Sequence, residues 1–199
     1  KTNIGSPMPK FTFGWTNTFR YKNFDLSVFI NGSYGNKVYN YLSMKLTHMN
    51  SPWTNQLNAV NGRAQLVPIN PNKVYEDGTM WYNDVSNVMV ANPGASIPRA
   101  TINDPNDNDR ISDRYIEDGS YIRLKNISLG YTFPKKTIDK LGLSNLRIYA
   151  NIQNLLTITG YDGYDPEIGA STSSVNVYGL DNGRYPSPTV YSFGLNVSF

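Results

Sequence analysis

Few side chains in this sequence could carry out nucleophilic, acid–base or metal chemistry. Its 199 residues include no cysteine and a single histidine, His48. A disulfide framework, a thiolate metal site and a cysteine nucleophile are therefore excluded, and a serine–histidine pair could only use His48. The phosphate-binding loop Gly-x-x-x-x-Gly-Lys and the Gly-x-Ser-x-Gly nucleophile elbow are both missing. We therefore expect no enzyme activity, and we expect His48 to lie on a helix surface or to pack.

One acidic segment resembles a calcium loop at first sight. Asp104, Asn106 and Asn108 occupy the first, third and fifth positions of the EF-hand pattern. The sixth position is Asp109 instead of glycine, and the twelfth is Tyr115 instead of glutamate. The EF-hand pattern fails, so we expect a surface loop closed by Asx turns. An irregular calcium site at these three residues is the alternative, and no other cofactor is expected.

Carboxylate pairs and loop aromatics are the remaining candidates for chemistry or binding. Asp165 and Glu167 could be imagined as paired glycosidase carboxylates, but nothing in the sequence places them across a cleft. Aromatic faces stack on sugar rings as they do on other apolar planes, although packing within a loop is the simpler explanation. The residues that we predict to face a substrate are Trp53, Trp81, Tyr82, Tyr161 and Tyr164.

Charge and hydropathy exclude several classes of protein. The net charge of +3 comes from scattered lysines and arginines, so we expect no nucleic-acid partner. No run of about 18 apolar residues exists that could form a transmembrane helix. The N-terminus also lacks the basic and apolar regions of a signal peptide.

Five segments instead alternate apolar and polar residues with a period of two, which predicts antiparallel strands with one apolar face. The predicted strands cover residues 10–21, 24–34, 121–133, 145–158 and 189–199. Each run is near the roughly 9–11 residues of a tilted membrane strand, and longer than the usual soluble strand of about 5–6. Aromatic residues cluster near the ends of the runs, as in the girdles of membrane barrels. Periodicity alone leaves a soluble β-sandwich open.

The connections between the strands alternate between short and long. Residues 35–120 and 159–188 form the long connections. Outer-membrane barrels have short periplasmic turns and long extracellular loops, so these two segments are predicted to be extracellular. Five strands cannot close a barrel of at least about eight strands. We expect further strands to complete the wall, because unpaired backbone groups are costly in hydrocarbon.

Residues 113–134 (DRYIEDGSYIRLKNISLGYTFP) resemble the C-terminal region of the SusC/RagA-like TonB-dependent outer-membrane transporters. Residues 145–159, 160–169 and 183–199 agree with the same family, as does the opening stretch 4–35. The resemblance leaves out residues 50–95, as expected for a variable external loop.

The resemblance implies an all-β fold, the last five antiparallel strands of a 22-stranded transmembrane β-barrel in the bacterial outer membrane. It implies partners as well: the remainder of the transporter chain with its plug domain, TonB acting through an absent N-terminal segment, and a SusD-like surface lipoprotein. The substrate would be an oligosaccharide or a peptide. The plug and the TonB box are absent from this chain, and no single residue can be assigned to substrate.

The last predicted strand has its own interpretation. Its apolar-aromatic stripe resembles the signal that the outer-membrane assembly machinery recognises, and strand addition would suit such recognition. The residues of this stripe are Tyr191, Phe193, Leu195, Val197 and Phe199. Ordinary lipid-facing residues would show the same pattern. At the level of the whole protein, a passive porin or adhesin barrel and a soluble carbohydrate-binding β-sandwich remain as alternatives.

Overall fold

The computed structural model describes residues 2–168 and 177–199. Residues 169–176, which belong to the predicted loop 159–188, lie outside the described residues, as does Lys1. The described chain divides into two compact units. Unit 1 comprises the residues up to Asn40 and those from Ile116 onward, and unit 2 comprises Tyr41–Tyr115.

Strands account for most of the regular structure. They are β1 (Phe11–Tyr21), β2 (Phe24–Tyr34), β3 (Lys37–Asn40), β4 (Leu66–Pro68), β5 (Val88–Val90), β6 (Ile116–Asp118), β7 (Tyr121–Thr132), β8 (Asn145–Thr159), β9 (Leu180–Asp181) and β10 (Val190–Ser198). The two short helices are α1 (Tyr41–Thr47) and α2 (Lys135–Ile138). Single 3-10 turns cover Asn58–Gly62, Trp81–Asn83, Val85–Asn87, Asp113–Tyr115 and Asp139–Leu141. None of the helices in the described ranges has the length and apolar character needed to cross a membrane.

The five long strands form one antiparallel sheet in the order β1-β2-β7-β8-β10, which confirms the prediction of five antiparallel strands. A two-residue turn at Lys22 and Asn23 joins β1 to β2, and Lys22 takes a φ of +52° there. Between β7 and β8 the chain turns through α2 and a 3-10 turn that ends at Gly142, whose φ is +70°.

One face of this sheet is apolar from edge to edge. Because residues directly opposite each other in antiparallel strands share a face, the register defines rows across the sheet. One such row consists of Phe19, Leu26, Leu129, Ala150 and Phe193. In this row Phe19 is 58% exposed, Leu129 47% and Phe193 83%. The large apolar side chains on this face of the main sheet therefore form an open surface instead of a closed core.

The opposite face of the sheet is polar, as the next row of residues shows. The row beside the one just described consists of Thr18, Ser27, Ser128, Asn151 and Ser192. The side-chain oxygens of Asn31 and Asn151 on this face are covered and have no hydrogen-bond partner among the described residues.

A pair of irregularities keeps the apolar face continuous in the middle of the sheet. The register shifts at Lys125, which is an extra residue in β7 relative to β2. On β8 two residues, Asn154 and Leu155, lie opposite this one, and Asn154 takes a φ of +53°. Leu124 and Ile127 thus lie on one face although they are three positions apart, as a β-bulge allows.

Smaller sheets complete the two units. In unit 1, β3 pairs antiparallel with β6 and parallel with β9, around the buried Val38. In unit 2, β4 pairs with β5, and Met44 and Tyr115 are buried. Within the predicted loop 35–120, Lys37–Asn40 pair as β3, and the helix α1 follows over Tyr41–Thr47.

Candidate functional site

The polar face of the main sheet carries a buried ionic cluster built around Arg123 on β7. Arg123 as a whole residue is 2% exposed. Its guanidinium donates from Nε to Thr157 Oγ1 at 2.8 Å and from Nη1 to Glu167 Oε2 at 2.6 Å. Its Nη2 donates to Asp165 Oδ1. Lys125 Nζ lies 2.8 Å from the same Glu167 oxygen. The cluster holds the start of the long connection after β8 against the sheet.

Asp165 is further held by main-chain groups. Its oxygens accept hydrogen bonds from the backbone N–H of Ser187 and from that of Glu167, both at 2.9 Å. Burial alone would raise the pKa of Asp165, but the N–H of Ser187, the Arg123 guanidinium and the N–H of Glu167 outweigh it. Together they lower its pKa to about 2. The two carboxylates that could have been a glycosidase pair are thus engaged by cations.

A second buried contact closes the same connection on itself. Tyr161 is 5% exposed, and its hydroxyl donates to Asp181 Oδ2 at 2.5 Å. The other Asp181 oxygen accepts from the N–H groups of Gly183 and Arg184. Burial, followed by the hydrogen bond to Asp181, raises the pKa of Tyr161 well above the ordinary value of 10. Two of the three tyrosines predicted to face substrate lie in this connection: Tyr161 supports the loop, whereas Tyr164 is 65% exposed.

An ion pair spans three strands near the opposite end of the sheet. Arg147 on β8 donates to both carboxylate oxygens of Asp25 on β2, at 3.1 and 2.6 Å, across the intervening β7. Gly130 lies beneath the pair, where a Cβ would collide with the Arg147 guanidinium and with Asp25. The absence of a side chain at Gly130 is what lets the two charges meet.

Unit 2 contains the segment considered for calcium. Asp104 accepts hydrogen bonds from the backbone N–H and the side-chain amide of Asn108, and its Oδ2 lies 2.9 Å from His48 Nε2. These contacts close the loop over four positions, instead of the two positions of the Asx turn that the sequence predicts, while Asn106 is exposed. Burial opposes these hydrogen bonds, yet the net effect lowers the pKa of Asp104.

Asp109 adds a third potential ligand to this cluster. One ligand atom from each of His48, Asp104 and Asp109 lies within 4.8 Å of the others. However, Asp109 lies on the Nδ1 side of the imidazole at 3.9 Å, and Asp104 lies on the Nε2 side. The ring is therefore placed between two carboxylates, and calcium at Asp104, Asn106 and Asn108 stays a prediction.

Two of the predicted aromatic residues line a cleft in unit 2. The rings of Trp81 and Tyr82 meet edge to face, with centroids 5.6 Å apart. They border a cleft of about 600 Å³ whose lining includes Arg63 and Arg99. Trp53 is 91% exposed and does not line this cleft. Sequence reasoning missed both arginines, which are 36 positions apart and belong to no motif.

The predicted assembly stripe forms the exposed face of the edge strand β10 and the residue that follows it. Phe193 is 83% exposed and Phe199 is 93% exposed. Tyr191, Leu195 and Val197 lie on the same side, opposite Ile152, Ile148 and Leu146 of β8. The stripe is continuous with the apolar face of the sheet.

A sheet of long antiparallel strands with one exposed apolar face and one polar face has the construction of a membrane β-barrel wall. Comparisons with known proteins agree with this class. No family model matches the chain. The chain is 36% identical to TonB-dependent receptor P3 of Formosa agariphila over 98% of its length. It is 29% identical to TonB-dependent receptor SusC of Bacteroides thetaiotaomicron over 94% of its length.

Solved structures show the same fold. The RagAB peptide importer in its closed-closed state superposes with a TM-score of 0.66 at 19% identity, covering 98% of the chain. The open-open state gives a TM-score of 0.61. Over nearly its whole length the chain is a homologue of the TonB-dependent receptors, SusC among them, and its fold is that of part of a TonB-dependent transporter barrel. It spans 17% of the length of the first of these relatives and 15% of the length of SusC.

Proposed function

We propose that the chain is part of the wall of an outer-membrane TonB-dependent importer that takes up oligosaccharides or peptides together with a SusD-like surface lipoprotein. The observation that carries the proposal is the edge-to-edge apolar face of the five-stranded sheet. Its large side chains are exposed, which is unfavourable in water by roughly 25 cal/mol per Å² of apolar surface and favourable against acyl chains.

The edges of the sheet support a longer wall. Among the described residues, β1 pairs only with β2, and β10 pairs only with β8. Open edges leave backbone donors and acceptors unpaired, and each such group costs several kcal/mol in hydrocarbon. Other strands of the same transporter would pair with these edges and close the barrel.

The polar face supports a hydrated lumen. Its serine, threonine and asparagine rows offer hydrogen-bonding groups, and the Arg123 cluster holds the connection after β8 on this side. An arrangement of this kind is suited to the interior of a transporter, where water, a plug domain and substrate replace lipid.

The relatives suggest the type of cargo and the partner. The RagAB structures are those of a peptide importer, and SusC is a TonB-dependent receptor. The resemblance to SusC/RagA-like transporters extends these properties to the full protein as a proposal: a surface lipoprotein that delivers substrate, and TonB that supplies energy. The external loops would lie within 35–120 and 159–188.

The proposal is tested on the full-length protein in its native membrane. The measurements are fractionation of the envelope, co-purification of a surface lipoprotein, and uptake of fluorescent oligosaccharides and peptides with and without TonB. We expect outer-membrane fractionation, a stable lipoprotein complex, and uptake that ends when TonB is removed.

Two results would contradict the proposal. Uptake that is unchanged without TonB would identify a passive barrel. Recovery of the full-length protein in the soluble fraction would remove the membrane role of the apolar face.

A further inference from the structure

We propose that the cleft lined by Arg63, Arg99, Trp81 and Tyr82 is a binding site for an anionic oligosaccharide, a glycan bearing carboxylate or sulfate groups. This inference rests on the proposed import function and narrows its cargo. We call these four residues with their neighbours Gln65 and Thr101 the Arg/Trp cleft.

The charge of the Arg/Trp cleft is uncompensated. No acidic side chain is among the described residues that line it, and neither guanidinium forms an ion pair with a carboxylate in the described ranges. Among the described residues the Arg63 guanidinium makes one hydrogen bond, to the carbonyl of Val60 at 3.3 Å. A guanidinium presents five donors in a planar fork, and carboxylate or sulfate oxygens match this geometry.

The aromatic rings supply the second half of the site. Trp81 and Tyr82 cross at 79°, so they present planes in two directions beside the arginines. Tyr82 is 44% exposed, and Trp81 is half-buried. The apolar face of a sugar ring packs on such planes, and its hydroxyls can reach the side chains of Gln65 and Thr101.

The cleft is built on braced segments. The turn that carries Trp81 and Tyr82 ends at Asp84, whose carboxylate binds Lys73 Nζ at 2.6 Å, Tyr75 Oη at 2.8 Å and Ser86. The backbone of Arg63 is bridged to Ile97, two residues before Arg99. Bracing of this kind lowers the entropic cost of binding because the contact groups are positioned beforehand.

The main chain of the cleft favours a glycan over a peptide. An extended peptide would bind by adding to a strand, which requires free backbone donors and acceptors. The N–H groups of Ala64 and Gln65 already donate to Ile97 O and Asn92 Oδ1. The carbonyls of Arg63 and Gln65 already accept from Asn92 Nδ2 and the N–H of Ala91. Along residues 63–65, recognition is left to side chains, as for a sugar.

The test uses the full-length transporter in detergent and isothermal titration calorimetry. One pair of probes is a galacturonic acid trisaccharide and its neutral methyl ester, and the other is a sulfated galactose trisaccharide and its desulfated form. The fifth probe is an acidic pentapeptide. The variants are Arg99→Gln and, as a matched control, Arg110→Gln, an exposed arginine outside the cleft.

We expect at least one anionic trisaccharide to bind about tenfold or more tightly than its neutral partner, about 1.4 kcal/mol. Arg99→Gln should remove this preference and Arg110→Gln should keep it. The pair that shows the preference identifies the anion as carboxylate or sulfate. If Arg99→Gln fails to fold, salt gives the same information in the wild type, because raising NaCl should weaken only the anionic probe.

Three results would overturn the inference. The first is equal affinity for the anionic and neutral trisaccharides, or no binding of either anionic trisaccharide. The second is a preference for the anionic trisaccharide that persists in the Arg99→Gln variant. The third is an acidic peptide that binds more tightly than every trisaccharide and loses its affinity in the Arg99→Gln variant. Loss of the inference leaves the proposed function intact if TonB-dependent uptake of another substrate is observed in the same preparation.

Discussion

Arg123 holds the connection after β8 to the main sheet. Its guanidinium binds three side chains, and both carboxylates that it pairs with come from the segment after Tyr164. The charges are buried, so removal of the arginine leaves Asp165 without its cation in a covered site. The loss of one partner from a buried ion pair is more damaging than the loss of a surface pair.

The closed form of this connection is the one in which Asp165 and Glu167 are bound to Arg123 on the sheet. We predict that Arg123→Met destabilises this closed form by about 3–5 kcal/mol. The measurement is hydrogen exchange of residues 160–168 and 177–187 in the full-length transporter. Lys125→Met is the matched control, because Lys125 contacts the same Glu167 but is about a third exposed, and we expect it to cost about 1 kcal/mol or less. Equal effects of the two substitutions would contradict the role given to Arg123.

Asp165 predicts how this connection responds to acid. Its pKa is lowered from 3.8 to about 2 when the connection is closed. Because the pKa of Asp165 is lowered in the closed form, its ionised carboxylate stabilises that form at pH values above the ordinary pKa of 3.8. This stabilisation is lost as the pH falls toward 2. The protection factors of the Ser187 and Glu167 amides, which donate to Asp165, should be steady above about pH 4 and fall between about pH 4 and 2. In Asp165→Asn this additional dependence should vanish, and its persistence would exclude Asp165 as the group responsible.

At the scale of the strands, Gly130 leaves the space on β7 in which Arg147 and Asp25 form their ion pair. The ion pair of Asp25 and Arg147 crosses β7 directly above this glycine. We predict that Gly130→Ala displaces the pair and lowers stability by about 1–3 kcal/mol, as overpacking typically does. Thermal unfolding of the full-length protein in detergent measures this.

Gly160→Ala provides the control for that substitution. Apart from its chain neighbours, no atom of the described residues lies within 4 Å of a Cβ built on Gly160, so its effect should stay within about 0.5 kcal/mol. A Gly130→Ala protein as stable as the control would mean that the ion pair tolerates a methyl group beneath it.

The strand β10 carries the proposed assembly signal. Phe199 is 93% exposed and continues the apolar stripe of that strand. We predict that Phe199→Ala in the full-length protein lowers its level in the outer membrane, because the assembly machinery would recognise an exposed aromatic residue at this position. Immunoblots of outer-membrane fractions give the level, with Ser198→Ala as control. Equal levels of the two variants would refute the signal.

For the molecule as a whole, the long strands were predictable and several of the contacts between distant segments were not. The period-two pattern depends only on neighbouring residues, so it marks β1, β2, β7, β8 and β10 directly. The bulge at Lys125 and Asn154 reverses the parity of the pattern, and a pattern alone does not reveal which residue is left unpaired.

The ionic cluster and the Arg/Trp cleft are the features that the sequence alone could least predict. Arg123 binds Asp165, which is 42 positions away in the sequence. Arg63 is bridged to Ile97 because the fold of unit 2 brings these two distant residues together. Sequence reasoning selected Trp81 and Tyr82 as candidates because aromatic residues in a polar loop are conspicuous. An isolated arginine among 18 lysines and arginines gives no such signal.

The central claim is that the apolar face of the five-stranded sheet lies against lipid. Spin labels at Leu129 and Ser128, neighbours on opposite faces of β7, test it in the full-length protein reconstituted in bilayers. Lipid-soluble oxygen should relax the label at 129 more strongly than a water-soluble nickel complex does, and the label at 128 should show the opposite ratio. A label at 129 that the nickel complex reaches as readily as the label at 128 would contradict the account.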